Sequence, residues 1–403
     1  MKQIKYIDIF AGCGGLSLGL CNAGLKGVFA IEKNKDAFST LNFNLVQNDS
    51  HFDWPNWLPI SEYDINVVMK DYSEQLSKLC GSIDLVAGGP PCQGFSMAGK
   101  RKANDQRNKL VKSYVKFIKI IQPKAIIFEN VHGFTVRFKD KTGKEKKYSN
   151  YVVNALKRLG YKTDYRIVDM SEFGVPQSRK RFILVAMKND DPKKLFDCLY
   201  NNREAFFQAK RIPAITHAAD AIGDLRKCHG VVESPDTKHF MAGVYGPISS
   251  DYQRLMRANN TIATNAPVDS HRFVNHTKDV IDLHNELLEK APRGKRITPA
   301  ENIVDGLKRR GVTVLDKDKL VPTITSIPDE LVHYEEPRIL TVREHARIQS
   351  FPDWYQFKGK YTSGGKRRKL EVPRYTQVGN AVPPLFAEQI GIALKEVLKD
   401  DKQ

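Results

Sequence analysis

The chain has 403 residues, with 64 Lys or Arg against 46 Asp or Glu and a formal net charge of +18. That length accommodates two domains and a sizeable core, and the excess of cations favours a polyanionic partner, nucleic acid before membrane. Cys13, Cys21, Cys80, Cys92, Cys198 and Cys228 form no CxxC pair and are widely spaced, which argues against a metal site or a disulfide scaffold and for a reducing cytosol.

In chain order, residues 4–10 read as a first strand. Residues 11–20 follow as a glycine turn opening a helix, which sets bare backbone N–H groups and a helix N-terminus beside a ligand. The turn differs from GxGxxG and lacks the Lys-Ser/Thr of a phosphate loop. No signal-peptide apolar region precedes it, and no apolar run approaches transmembrane length. Residues 28–31 are a second strand ending at Glu32, an acid placed to accept hydrogen bonds from ribose hydroxyls. Its alternative is an ordinary strand-end carboxylate. A surface excursion over 49–66, carrying Trp54, Pro55, Trp57 and Pro59, blurs a third βα unit. Residues 67–71 then restore the strand.

The most informative stretch is Gly88-Gly89-Pro90-Pro91-Cys92-Gln93-Gly94-Phe95-Ser96, at the end of an apolar strand over 83–87. Glycines let backbone turn and a ligand approach. The prolines fix φ and remove amide donors, so neither helix nor sheet continues. Cys92 therefore stands on a stiff loop at the C-terminal end of a strand, where open α/β sheets place their chemistry. The loop after it, rich in Gly, Lys and Arg and including Lys100 and Arg101, reads as one that closes over a phosphate backbone. A helix over 110–121 and a strand over 125–128 come next, ending in Glu129-Asn130-Val131 on the same rim as Cys92. Residues 139–147 read as a solvated lysine-rich loop and 150–159 as a helix. Strands over 165–169 and 182–187 flank a turn with Gln177, Arg179 and Arg181. From 189 the βα alternation stops until about 322, with one clear helix over 279–290. Order returns with 321–325, Arg343 to Pro352, Gln377 to Pro383 and a helix to about 400.

Six of these motifs, in order, resemble those of the bacterial cytosine-5 DNA methyltransferases. The resemblance spans 4–188 and 321–390. It implies an α/β fold, a Rossmann-like S-adenosylmethionine-dependent methyltransferase sheet with a second, smaller, irregular target-recognition domain. The implied domains are 1–188 (catalytic, first part), 189–320 (target recognition) and 321–403 (catalytic, returning part). It implies S-adenosyl-L-methionine as cofactor, with S-adenosyl-L-homocysteine as product. At the cofactor it places Phe10, Gly12, Cys13, Gly14, Gly15, Leu16, Glu32, Lys33, Asp71 (at the adenine amino group), Tyr72, Pro91, Leu110, Asn380, Ala381 and Val382. As catalytic residues it implies Cys92, Glu129, Arg179 and Arg181, and as DNA-binding residues Gln93, Ser96, Lys100, Arg101, Gln177, Lys366, Arg367 and Arg368. Arg343 and Arg347 fall in a late motif whose arginines brace the recognition region.

The residue types suit that chemistry. A thiolate is a strong nucleophile and a competent leaving group, so Cys92 can add to carbon 6 of cytosine and render carbon 5 nucleophilic. A carboxyl at Glu129 can serve N3, and guanidinium groups can hold O2. The expected partner is double-stranded DNA, handled by a monomer in the bacterial cytoplasm, with a cognate restriction endonuclease encoded separately. Competing readings are a tRNA cytosine-5 methyltransferase of the same fold, whose Cys-Phe-Thr is missing here, a non-catalytic DNA-binding subunit, which would have lost Cys92, and a small-molecule methyltransferase, which needs no basic recognition domain.

Overall fold

A computed structural model describes residues 3–91, 107–139, 145–260, 266–307, 311–362 and 371–400. Contacts divide the chain into two compact units. Met1–Asp169, Lys180–Arg203 and Pro384–Gln403 form the first, and Met170–Arg179 with Glu204–Pro383 the second.

In the first unit, strand β1 (Lys5–Ile9) is buried from Tyr6 onward, as expected of a central parallel strand covered on both faces. Helix α1 (Gly15–Asn22) leads to β2 (Lys26–Ile31) and α2 (Lys35–Leu41). The next helices are α3 (Ile65–Asp71) and α4 (Ser73–Lys78), followed by β3 (Leu85–Gly88), α5 (Arg107–Ile121) and β4 (Ala125–Val131). A short hairpin of β5 (Phe138–Lys139) and β6 (Glu145–Lys146) precedes α6 (Tyr148–Arg158) and β7 (Lys162–Asp169). Strand β8 (Gln177–Ser178) belongs to the second unit, and β9 (Lys180–Met187) returns to the first. The sheet order is β2-β1-β3-β4-β9-β7. The first four strands are parallel, and β9 runs antiparallel to both β4 and β7.

Two helices then depart from expectation. Helix α7 (Pro192–Asn201), capped by the Asp191 side chain, packs on β7 and β9, so regular structure of the first unit continues past 189. Helix α8 (Arg203–Lys210) begins at the division between the units. The C-terminal helix, Pro384–Asp400, lies on α1. A Cβ at Gly19 would sit 2.3 Å from that of Ala387, so glycine is what allows the two helices to come this close.

The stretch 67–71, expected as a strand, is the body of α3. Ile65, Val68 and Met69 are buried while Val67, Lys70 and Asp71 face out, a helical and not a two-residue period. The excursion before it covers the sheet edge. Phe52 makes a single parallel bridge to Gly27 of β2. Trp54 and Trp57 meet Phe29 edge-on at ring separations of 6.5 and 5.7 Å. An edge strand otherwise exposes unpaired backbone groups, and this aromatic cover closes it.

The second unit contains helices α9 (Ala218–Ile222), α10 (Asp251–Arg257), α11 (Lys278–Lys290), α12 (Val342–Ile348) and α13 (Arg374–Asn380). Its strands are short. β10 (Val231–Glu233) pairs with β11 (Met241–Gly243), and β12 (Arg296–Ile297), β13 (Val312–Val314) and β15 (Leu331–Val332) form a small sheet. β14 (Val321–Pro322) runs parallel to β8. All seven residues of α12 are buried, and the charges among them are paired. Arg347 meets Asp224 at 2.8 Å and Asp353 at 2.7 Å, and Arg343 meets Asp269 at 2.9 Å. The bracing role expected of these arginines is what the geometry provides. Contacts also keep 321–383 with this unit, where the sequence reading returned them to the catalytic domain.

Candidate active site

The glycine turn after β1 is shaped by left-handed backbone. Phe10, Gly12 and Gly14 have φ of 61°, 57° and 89°. A Cβ at Gly12 would meet nothing within 4 Å, so glycine serves the backbone angle there. Glu32, at the end of β2, ties the turn in place. Its Oε2 accepts from the Gly12 N–H at 2.9 Å and its Oε1 from that of Asn34 at 2.7 Å. Burial pushes its pKa up, against the pull of these N–H donors. With the Lys33 N–H as a third donor, the carboxylate keeps part of its acceptor capacity.

Below the turn, Asp8 is fully buried, and the Ser17 hydroxyl donates to its Oδ2 at 2.5 Å. Desolvation raises the Asp8 carboxyl to about 7, with Glu32 adding to the effect. Cys13, Gly14, Gly15 and Leu16 are buried, and Phe10 is half-buried. Burial pushes the Cys13 thiol up to about 12, so it stays protonated and is no nucleophile.

Lys33 is exposed and pairs with Asp64 at 2.9 Å, while the Tyr63 N–H donates to the Glu32 carbonyl. Against the cost of partial burial, the Lys33 ammonium and Asn66 donors hold the Asp64 carboxyl below its usual range. Asp64, not Asp71, is therefore the acid beside the end of β2. Asp71 lies exposed in the last turn of α3, because the segment that carries it is a helix. The signal was present, since an Asp followed by apolar residues at helical spacing is an N-cap, and Asp64 accepts from the Asn66 N–H at 2.9 Å. Tyr72 is half-buried between Trp57 and Tyr63, at ring separations of 5.7 and 6.2 Å. Leu110 is half-buried on α5, and Pro91 is exposed.

The chain after β3 passes through a narrow place. A Cβ at Gly88 would lie 1.9 Å from the Ile9 carbonyl oxygen, and one at Gly89 1.9 Å from that of Glu129. No side chain fits at either position. Asn130 then pins Pro90, its Nδ2 donating to the Pro90 carbonyl at 3.2 Å while its Oδ1 accepts from the Val131 N–H. The sequence reading gave Asn130 no role of its own. Glu129 sits beside this segment, and the antiparallel register opposes Val131 to Arg181. The Arg181 Nε lies 3.1 Å from Glu129 Oε1, with only 12% and 17% of the two side chains exposed. Burial lowers the Arg181 pKa, and Glu129 opposes that. The structure thus brings together Gly89, Pro90, Glu129, Asn130 and Arg181. Cys92, Gln93, Ser96, Lys100, Arg101, Lys366, Arg367 and Arg368 lie outside the described residues.

Arg179 and Gln177 part company with Arg181. Both are buried, and what separates them from Arg181 is their partners. The Arg179 guanidinium donates to the carbonyls of Ile324 at 3.0 Å, Gly379 at 2.8 Å and Ala381 at 3.3 Å. Gln177 donates to Gln349 Oε1 at 2.7 Å and to the Ile348 carbonyl at 3.1 Å, and accepts from the Ile324 N–H at 3.2 Å. Their side chains brace the second unit, a correction to the base-holding and DNA-binding roles expected of them. Backbone carbonyls inside a fold need donors, and a planar guanidinium supplies several at once. Asn380 is exposed at the end of α13, Ala381 and Val382 are half-buried, and a Cβ at Gly379 would lie 2.3 Å from the Thr325 carbonyl oxygen. Among the described residues, no group of acidic, His and Cys side chains could hold a metal ion, and no helix is long and apolar enough to cross a membrane.

An open mixed sheet of four parallel strands and two flanking antiparallel pairings, with a glycine turn after its first strand, a second-strand acid and a Glu–Arg pair on one rim, defines a class. The family described as C-5 cytosine-specific DNA methylase matches residues 4–396, and the chain belongs to it. It is a DNA cytosine-5 methyltransferase. Among its curated relatives is the type II methyltransferase M.DdeI of Desulfomicrobium norvegicum, 31% identical over 96% of this chain and 87% of the relative. Another is the type II methyltransferase M.XorII of Xanthomonas oryzae pv. oryzae, 28% identical over 98% and 85%. A solved structure described as a DNA modification methyltransferase encoded within an E. coli prophage covers 98% of this chain and 100% of its own. It has a TM-score of 0.65 at 24% identity, a likeness of fold.

Proposed function

We propose that the chain methylates carbon 5 of a flipped-out cytosine in duplex DNA through a covalent bond from Cys92 to carbon 6. The observation that carries this reading is the convergence of the Glu129–Arg181 pair with the pinned Gly89–Pro90 segment that leads directly to Cys92.

The residues present fit S-adenosyl-L-methionine. The Gly12 backbone is open on its Cβ side, and the Glu32 carboxylate keeps acceptor capacity for a ribose hydroxyl beyond its N–H donors from Gly12, Lys33 and Asn34. The turn over 10–16, Glu32, Asp64 and the Tyr72 ring would hold it. When bound it supplies a methyl group on a positively charged sulfur.

Extruding the target base costs a few kcal/mol, which phosphate and groove contacts must offset. The Cys92 thiolate adds to carbon 6, forming the S–C bond and shifting the ring electrons so that carbon 5 becomes nucleophilic. Glu129 holds a proton at N3 as charge moves onto the ring. Arg181, fixed against Glu129, donates to O2. Once carbon 5 carries its methyl group, its proton leaves to a base, the S–C bond breaks and the thiolate departs. Sequence choice falls to the irregular part of the second unit.

A duplex carrying 5-fluorocytosine at the target tests this, since carbon 5 then has no proton to lose. The covalent complex should accumulate with the wild type and with Cys13→Ser, and be missing with Cys92→Ser. Peptide mapping that finds the adduct on another cysteine would contradict the assignment.

A further inference from the structure

Residues 271–273 run beside β11. Arg272 bridges Ala242 in antiparallel register, and the Phe273 N–H donates to the Met241 carbonyl at 2.8 Å. Alternation along this strand buries His271 and Phe273 and turns Arg272 to the opposite face. There two rings clasp its guanidinium. The Arg272 Cζ lies 4.1 Å from the Phe240 ring centre and 3.8 Å from that of Tyr361. Tyr361 is itself fixed, its hydroxyl 3.2 Å from each oxygen of Asp236, with Arg374 4.3 Å from its ring centre.

The nearby acids are spoken for. Asp236 accepts from Arg374 at 2.7 Å, Ser234 at 3.0 Å and Thr237 at 3.1 Å. Asp269 accepts from Arg343 at 2.9 Å and Ser270 at 2.8 Å. Among the described residues, Arg272 Nε is buried without a hydrogen-bond partner, while the residue as a whole is half-buried. Burial dominates the electrostatics of this guanidinium and lowers its pKa, with Tyr361, Tyr375 and Asp236 compensating only in part. Beside it opens a cavity of about 200 Å³, lined among others by Asp236, Ser270, Arg272, Lys358, Tyr361 and Arg374.

A half-buried cation whose Nε lacks an acceptor is costly, and aromatic stacking alone recovers only part of that cost. The arrangement makes sense if the acceptor comes with a ligand. Rings against the guanidinium leave its edge as the donor surface and fix the plane of its fork. Such an edge suits a coplanar pair of acceptors, as on the O6/N7 edge of guanine or on two phosphate oxygens.

We propose that Arg272 is a DNA contact of this enzyme, held flat by Phe240 and Tyr361 so that its fork takes a pair of acceptors on the duplex. This rests on the proposed role of the second unit in meeting the DNA.

The test uses the full chain, as wild type, Arg272→Gln and Arg272→Lys. Each methylates a library of duplexes randomised in sequence, which is then read by bisulfite conversion. Binding to a fixed duplex is followed across salt concentrations, and thermal melting of each variant checks that it is folded. If the acceptors belong to guanine, both variants lose discrimination at one guanine of the site, by roughly 5- to 150-fold, because lysine lacks the fork. If they belong to phosphate, Arg272→Gln weakens all duplexes alike and makes the log–log salt slope shallower by about 0.9, while Arg272→Lys restores it. An active wild type with both variants unchanged in preference, affinity and salt slope would overturn the role of Arg272 alone. A wild type that methylates nothing in the library would overturn the methylation reading itself, and this contact with it.

Discussion

At the scale of single residues, burial decides which side chains are reactive. Cys13 lies in the glycine turn after β1, yet burial pushes its thiol up to about 12. Asp8 is the more consequential case. Its folded-state pKa of about 7 stands above the ~3.9 of an unfolded Asp, so the folded chain keeps this proton over the interval between them. The stability tied to that proton is complete below about pH 4 and is lost as pH rises through 7. Asp8→Asn keeps the size of the group and removes the titration. The unfolding free energy of the wild type, relative to this variant, should fall by a few kcal/mol between pH 4 and 7, at about 1.4 per pH decade at most. Urea denaturation at stepped pH measures it, and a difference flat with pH would contradict the assignment. Residue types alone could not make these distinctions. Gln177, Arg179 and Arg181 form one motif in the sequence, and only the burial of the first two, against the Glu129 pairing of the third, separates bracing from chemistry.

At the scale of elements, the legible parts were those where hydrophobic period and glycine punctuation agree. β1, α1, β2, β4 and α5 begin and end close to where apolar runs and turns place them. α3 was missed because Val67-Val68 is β-branched and reads as strand, although burial follows Ile65, Val68 and Met69. α7 was missed because Asp191-Pro192 reads as a turn, whereas here it caps and starts a helix. The Trp-rich excursion was unreadable because its partner is the edge of β2, a long-range contact that no local pattern announces. α12 shows the opposite case, a motif whose function is held in buried charge. Removing one partner of a buried ion pair leaves the other unpaired at a cost of about 3–5 kcal/mol. Arg347→Met takes the shared guanidinium from Asp224 and Asp353 but leaves them Arg257 and the Tyr245 hydroxyl, and should lower unfolding stability by less than that, about 1.5–3 kcal/mol, in urea titrations. A loss below about 1 kcal/mol would mean that the acids find other donors.

At the scale of the whole molecule, the chain leaves the first unit at 169, returns at 180, leaves again after 203 and comes back at 384. Motifs scattered along the sequence thus sort into a unit that carries the glycine turn and the Glu129–Arg181 pair, and a unit that carries most of the irregular sequence. That sorting predicts where specificity lies. Grafting residues 204–320 from a relative with another target should transfer the target while leaving affinity for S-adenosyl-L-methionine within a few-fold. A folded, active chimera that keeps its original target would place specificity elsewhere. The target itself is not legible, because loops that read bases follow the shape of a groove and no periodic pattern.

The central claim, that Cys92 drives methylation of carbon 5 in duplex DNA, is tested most directly by bisulfite sequencing of DNA from cells expressing the chain. The wild type should protect one cytosine in every copy of a short recurrent sequence, and Cys92→Ser, expressed to the same level, should protect none. Protection that persists in Cys92→Ser, or a wild type that leaves every cytosine convertible, would contradict the account.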